Sequence, residues 1–456
     1  MDDNRPHGRK KTYGGPTTGG YKRGDGLGTG PVGSQDGYAG RKTGSGSVGK
    51  RAAAGGGGTI LLLVIGFILL KSCSGGGALS DLGGLAENFS GLQGGELPYQ
   101  SQQNDTEYVA PSAEPVNTSV ASGSRAKYTE ILGNNKDTVT LMLYVCGTDL
   151  ESKSGMASSD LQEIASSRYG DNVNVIVYTG GCKGWKTSGI STSVNQIYQL
   201  TDGKLRTLEK DMGNKAMTDP ATLSEFIRYC AKNFPANRND LIFWDHGGGS
   251  VTGYGYDEKL RNGGSMSLAG ISKALRDGGV KFDFVGFDAC LMATAETALM
   301  LNDYADYMVA SEETEPGIGW YYTDWMTKLG SNTSISTLEL GKSICDDFTS
   351  ACARRCPGQK TTLSVIDLAE FANTVPSQLS AFADSISNKL TNKEYQDVSD
   401  ARYHSREFAT SSKIDQVDLV DLAMNMNTDE GKKLADALQK AVKYNRTSSN
   451  MTNAYG

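Results

Sequence analysis

Histidine is nearly absent from this chain: among 456 residues there are three, His7, His246 and His404. Excess positive charge is missing too. Lys and Arg number 45 against 52 Asp and Glu, a net charge of -7, and a phosphate-binding surface needs concentrated basic charge, which argues against a nucleic-acid partner. Large apolar side chains are scarce over the first 125 residues, where Gly, Ser, Thr, Asn, Gln and Pro dominate. Apart from one short segment, such a stretch cannot bury enough surface to offset the entropy of ordering it. The Cys-x-x-Cys spacing is also absent. Eight cysteines (Cys73, Cys146, Cys182, Cys230, Cys290, Cys345, Cys352, Cys356) do not make a small disulfide scaffold of a chain this long, so most are expected as buried thiols. Cys345, Cys352 and Cys356 have no His beside them and read as helix packing, not as a metal cluster.

What basic charge there is lies segregated. Residues 1–51 carry ten Lys or Arg against four Asp, whereas Ser72 to Ser124 carry none. Between them runs an uncharged segment, 52–70, containing TILLLVIGFILL. Its length at helical rise is about 28 Å, near the roughly 30 Å of a bilayer's hydrocarbon core. The reading is a basic cytoplasmic tail (1–51), one transmembrane anchor (52–70) and a flexible Gly-rich and polar linker (71–125), which places a folded domain (126–456) outside the cell. A cleaved signal peptide fits less well, because about fifty residues precede the apolar run and Lys71 occupies the place of a small cleavage-site residue.

From Ala126 onward short apolar runs alternate with amphipathic stretches, the pattern of an α/β protein with a mostly parallel sheet flanked by helices. The expected strands are 138–145, 173–180, 240–246, 282–289, 306–311 and 361–367. Helices are expected after Asp219 and Pro220, and from Ser267 to the paired Gly278 and Gly279. A hairpin is expected around Thr201-Asp202-Gly203. A further amphipathic helix is expected around Lys432 to Tyr444.

His246 follows the strand LIFWD and precedes Gly247, Gly248 and Gly249, so it sits at the carboxyl end of a buried strand, where open α/β sheets bind ligands. Cys290 ends the next strong strand, FDFVGFDA, and is expected to begin the helix LMATAETA. A thiol beside a helix N-terminus and an imidazolium is expected to have a lowered pKa. Asp245 is a weaker candidate, for local backbone polarisation only. His404, in ARYHSREFA, has no strand end or nucleophile near it in sequence and reads as a surface or helix-packing residue.

WDHGGG at Trp244–Gly249, FDACLMA at Phe287–Ala293 and ASEETEPGIGW at Ala310–Trp320 together resemble the clostripain-like (C11) peptidases, a branch of the caspase-like clan. The resemblance covers about Thr138 to the C-terminus. It implies a cysteine endopeptidase with Cys290 as nucleophile and His246 as the group that protonates the leaving amine, which the segment 52–70 would anchor to the membrane. The oxyanion is expected on the backbone N–H groups of Gly247 and Cys290. Asp288, two positions before the Cys, matches the family's pocket carboxylate and implies Arg or Lys before the cut, since a substrate cation would pair a carboxylate that is costly to bury alone. Glu312, Glu313 or Glu315 would supply a second acid. Family members are self-processing precursors, and Lys259 and Arg261 in GYDEKLRNGGSMS offer basic cleavage points between the His and the Cys. No cofactor is required by this pattern; calcium helps some relatives, but no Asp-rich loop of the EF-hand type occurs and calcium stays unplaced. Relatives typically continue from the last helix into another apolar strand, so a C-terminal truncation, and with it an unpaired sheet edge, is the expectation here. The rival readings are a sortase-type transpeptidase, which would be all-β, and a catalytically silent binding module on the same fold.

Overall fold

The computed structural model describes residues 115–456 except Lys413. The basic tail, the apolar run and all but the end of the linker lie outside these residues. Among the described residues no helix is long and apolar enough to cross a membrane.

In chain order the elements are β1 (Val139–Cys146), α1 (Thr148–Ser154), α2 (Met156–Ala165), β2 (Val173–Gly180), β3 (Gln196–Thr201), β4 (Lys204–Glu209), α3 (Pro220–Asn233) and β5 (Arg238–Trp244). There follow α4 (Gly249–Thr252), α5 (Leu268–Gly278), β6 (Phe282–Asp288), α6 (Ala295–Leu301), β7 (Ala305–Ala310), α7 (Tyr322–Ser331) and α8 (Thr337–Arg355). The chain ends with β8 (Thr362–Asp367), α9 (Leu368–Thr391), α10 (Tyr395–His404), α11 (Leu419–Asn425), α12 (Asp429–Ala441) and β9 (Val442–Thr447). All nine strands form one sheet in the order β4-β3-β2-β1-β5-β6-β7-β8-β9.

The six expected strands are present. Strands β2, β1, β5, β6 and β7 run parallel. The expectation of a mostly parallel sheet needs correction, because both wings, β3-β4 and β8-β9, are antiparallel. Parallel neighbours need a crossover, and the helices supply it, whereas β3 and β4 are joined by the tight turn seen in the sequence. Helix starts follow their caps: the Asp219 carboxylate accepts from Ala221 N–H, with Pro220 in the first turn, and the Ser267 hydroxyl accepts from Gly270 N–H.

Because strand side chains alternate between faces, the sheet buries two cores. Tyr144, Tyr178, Phe226, Phe243 and Phe287 pack on one face, with Phe243 and Phe287 stacked at 4.9 Å. Leu143, Val177, Ile242, Trp244 and Phe284 pack on the other, beneath Trp325 and Phe348. Cys146, Cys182, Cys230, Cys345, Cys352 and Cys356 are buried, as expected of most of the thiols.

Two boundaries differ from the sequence reading. The linker does not run free to residue 125: Asn117 N–H donates to the Lys443 carbonyl at 3.0 Å, and Arg125 pairs with buried Asp306 at 2.8 Å. Nor does the last helix reach Tyr444. It stops at Ala441, and Val442–Thr447 pairs with β8, filling the edge that was expected to be open. The apolar spacing of α12 continues as far as Tyr444, but Val442 and Tyr444 also suit the period of two of a strand, and tertiary pairing decides.

The opening ends of β5 and β6 hold an ion pair that is structural. Arg238 is fully buried and its Nε and Nη2 donate to Asp283 Oδ2 at 2.8 and 2.6 Å. Its Nη1 donates to the carbonyls of Thr333 and Ile335, each at 2.7 Å, while the Thr337 hydroxyl takes the other Asp283 oxygen.

Candidate active site

The carboxyl ends of β1, β5 and β6 lie side by side. The register pairs Trp244 with Asp288, Asp245 N–H reaches the Asp288 carbonyl at 3.4 Å, and just beyond, the backbone at Gly247 lies against Cys290. Gly247 makes the approach possible: a Cβ there would lie 2.1 Å from the Cys290 carbonyl oxygen and 3.1 Å from its nitrogen. Any larger residue would push the two strand ends apart. The sequence reading of the three glycines as room for a sharp turn is thereby given its reason at the first of them.

The Cys290 surroundings correct one expectation. The helix after it begins only at Ala295, capped by the Thr294 hydroxyl on Thr297 N–H, and Leu291 stands at φ +69° between. Cys290 therefore does not begin that helix. Its pKa is accordingly not lowered: burial pushes it up to about 12, helped by the nearby Glu315 charge. Glu315 N–H points at Sγ at 3.2 Å, and the sulfur packs with Leu291 against Phe408, Ala409, Ile414 and Met451. The segment around Phe408 is fastened over this end of the sheet by Gln416, whose Nε2 donates to the Leu291 and Glu312 carbonyls, both at 3.2 Å. Cys290 itself is half-buried under this segment.

His246 is half-buried and its Nε2 lies 2.9 Å from Asp149 Oδ1, on α1. Burial alone would lower its pKa, but the Asp149 bond and the charges of Asp245 and Asp149 outweigh it and the imidazole is raised above its usual value. Asp245 itself is buried, accepts from the Thr148 hydroxyl at 3.1 Å and from Tyr256 N–H at 2.9 Å, and is pushed by burial up to about 7. Its two oxygens are thus engaged by Thr148 and by the backbone at Tyr256. Asp149 went unnoticed in the sequence because it is 97 positions from the histidine and carries no motif. Its one signal was position, as the first acid after a strand neighbouring β5.

Asp288 ends β6 below Cys290. Tyr322 hydroxyl donates to its Oδ2 at 2.8 Å and Trp320 N–H reaches both oxygens at 3.2 Å. Burial pushes Asp288 up to about 6. Glu315 lies beside it, raised well above the usual range by burial and then by the Asp288 charge. Asp160 on α2, which the sequence did not single out, is the third acid: it accepts from Trp244 Nε1 at 2.6 Å and is raised by burial and by Asp288. Gly319 lets them converge, since a Cβ there would stand 3.0 Å from Asp288 Oδ1 and 3.1 Å from Asp160 Oδ2. Behind them, Glu163 pairs with Arg355 at 2.8 Å.

Of the three glutamates offered by sequence, only Glu315 joins this group. Glu312 turns away, accepting from Gly456 N–H at 3.0 Å next to Asp418, and Glu313 accepts from Thr314 and Ala409 N–H at 2.8 and 3.0 Å. They follow a strand whose residues alternate faces, so neighbours in sequence part in space. Lys259 and Arg261 lie on a surface turn, pinned at its base by Tyr254 and Met266, that borders an open cleft of about 510 Å³ with Lys183. Arg261 lies over the Tyr256 ring at 5.9 Å. His404 is exposed at the end of α10, with Nδ1 on the Asp400 carbonyl, as expected. Among the described residues no group of three or more His, Cys, Asp or Glu is placed to hold a metal ion, and calcium has no site assigned.

A mixed α/β sheet with a thiol and an imidazole on adjoining strand ends is the arrangement of the caspase-like cysteine peptidase class; it excludes the all-β sortase reading. The clostripain family, Peptidase_C11, matches residues 143–456, and the chain belongs to it. Clostripain of Hathewaya histolytica is 28% identical over 245 residues, which span 45% of this chain and 46% of that protein, so the match extends over about half of each. Solved structures agree in fold. The secreted C11 cysteine protease iotapain of Bacteroides thetaiotaomicron aligns with TM-score 0.54 at 16% identity, over 70% of this chain and 89% of that one. An inactive zymogen C11 protease of Parabacteroides distasonis aligns with TM-score 0.51 at 22% identity, over 69% and 85%.

Proposed function

We propose that this chain is a cysteine endopeptidase that cuts after Arg or Lys, with Cys290 as nucleophile and His246 as its proton partner. The observation that supports the reading is that His246 and Cys290 each lie two residues past the paired ends of adjoining strands β5 and β6, the second ending in buried Asp288. The thiol proton passes to the imidazole as Sγ attacks the scissile carbonyl, and the oxyanion is held by the N–H groups of Gly247 and Cys290. His246 then protonates the leaving amine. Water, deprotonated by the same imidazole, hydrolyses the thioester and restores the thiol.

Specificity follows from charge. Asp288, Glu315 and Asp160 converge where burial raises their pKa values, and a substrate guanidinium or ammonium would supply the charge partner that favours their ionised forms. The chemistry so described calls on thiol, imidazole and water and assigns no cofactor.

The described arrangement suits a precursor, because Cys290 is half-buried against the segment around Phe408 and its thiol is raised, not lowered, by its surroundings. Cleavage after Lys259 or Arg261 would free the turn that rests on Tyr256. The chain would be held to the cell by residues 52–70, with the basic tail inside and the peptidase outside, in keeping with relatives described as secreted.

A fluorogenic assay with Arg-, Lys- and Asp-terminated peptides, run beside Cys290→Ala, tests the reading. Turnover of the two basic peptides that vanishes in the variant is expected. Turnover that survives Cys290→Ala, or that favours Asp, would sink it, and none at all even after limited proteolysis would leave the binding module. Intact mass of both chains tests self-processing: equal, uncut masses would dismiss it.

A further inference from the structure

We propose that Asp149 is the positioning residue of the catalytic pair, holding the His246 imidazole through Nε2 with the Tyr256 hydroxyl as its brace. This rests on the reading of Cys290 and His246 as that pair. The topology prepares it. β1, β5 and β6 are consecutive parallel neighbours in the sheet, and each delivers one group just past its carboxyl end: Asp149, His246 and Cys290.

The contacts are specific. Asp149 Oδ1 takes both His246 Nε2 and the Tyr256 hydroxyl, each at 2.9 Å, while Oδ2 faces Lys153 at 3.1 Å. With Nε2–H engaged, Nδ1 is the nitrogen left to exchange a proton with the thiol, so the carboxylate selects the tautomer. The Tyr256 ring lies 5.6 Å from the imidazole, and its backbone N–H is tied to Asp245, which fixes the brace from the β5 side.

Backbone strain supplies a second observation. Thr148, the residue before Asp149, is β-branched and sits at φ +47°, a region that costs such residues on the order of 1–3 kcal/mol. It is fully buried, and its hydroxyl binds the carboxylate next to the histidine, Asp245. The strained residue thus sets where α1 begins and aims Asp149 at the ring. The bland alternative is an acid in a helix's first turn paired with a lysine one turn on. That role requires neither the imidazole nor the tyrosine hydroxyl.

The groups that face His246 are Asp149 and Lys153 from α1, Asp245 from β5 and Tyr256 from the turn after α4. Of these the Asp149 bond does most to raise the imidazole against its burial. Removing the carboxylate should therefore lower the pH at which the imidazolium is lost and weaken proton delivery to the leaving amine.

The test uses the full chain, activated by whatever processing it performs, with Asp149→Ala, Asp149→Asn, Tyr256→Phe and Cys290→Ala. Expected for Asp149→Ala is a fall in kcat/KM on the order of 10²-fold, carried by kcat. The limb of the pH–rate profile that reports the His246 imidazole, the acid limb when that ring takes the thiol proton, should move to lower pH. Tyr256→Phe should shift it the same way by less, and it decides alone if Asp149→Ala fails to fold. Unchanged kcat and pH profiles in the folded variants would overturn the proposal, as would a gain of activity, which would make Asp149 a restraint instead. Turnover that persists in Cys290→Ala would mark a failure of the underlying pair, a separate result.

Discussion

β5 and β6 carry buried acids at both ends, and the two ends treat them differently. At the opening end Asp283 has its own cation, Arg238, whose donors are divided between that carboxylate and two backbone carbonyls. At the carboxyl end Asp288 is held by the neutral donors of Tyr322 and Trp320, with Asp160 and Glu315 crowding it. The nearby guanidinium of Arg355 is engaged by Glu163. A buried acid that brings its cation is part of the fold. A buried group of acids without a cation of its own is, on the proposed reading, the place for a substrate's.

The largest effect should come from breaking the first of these. Arg238→Ala strips the partner from a fully buried carboxylate and should cost about 3–5 kcal/mol in chemical denaturation. A variant of ordinary stability would show that the two ends do not differ. Asp288→Asn, by contrast, should leave the melting temperature equal or higher while kcat/KM for Arg peptides falls by about 10²-fold, the loss of one partner in a buried charge pair. Equal losses of stability at both ends would erase the distinction.

pH sharpens it further. The Asp288 carboxyl is raised from its usual 3.8 to about 6 by burial. A raised acid favours the fold while protonated, so its contribution is fully present below about pH 4 and is lost as pH rises through about 6. Binding runs the other way, because only the carboxylate holds a substrate cation. KM for Arg peptides should rise as pH falls below 6, and the Asp288→Asn variant should lack both trends. A pH-independent KM would contradict the assignment. The smallest effect concerns the cover over Cys290. Gln416→Ala removes side-chain hydrogen bonds worth about 1 kcal/mol each and should raise the iodoacetamide labelling rate a few-fold, whereas an unchanged rate would mean that other contacts hold the segment down.

How much of this could be read beforehand depended on whether the signal was local. His246 and Cys290 each end an apolar run, and the glycines after His246 mark a turn, so strand-end placement followed from a few neighbouring residues. Asp288 came with Cys290. Asp149 and Asp160 did not, since each sits on a helix after β1, far along the chain from the groups it meets, and only the order of strands brings them together. The helix expected at Cys290 failed for a related reason. The run LMATAETALMLN has helical composition throughout, but Leu291 turns to positive φ and Thr294 takes the cap. What looked like a thiol activated by a helix is a half-buried thiol beside Glu315. The choice among Glu312, Glu313 and Glu315 was likewise closed to sequence, because the turn after β7 sends each carboxylate a different way.

The central claim is that Cys290 is a nucleophile above a pocket built for a cation. Incubating the full chain with peptidyl acyloxymethyl ketones ending in Arg or Asp, then mapping the adduct by mass spectrometry, tests it most directly. The account predicts one adduct, on Cys290, formed with the Arg probe, lost in Cys290→Ala and much slowed in Asp288→Asn. Labelling of another cysteine, or equal labelling by the Asp probe, would contradict it.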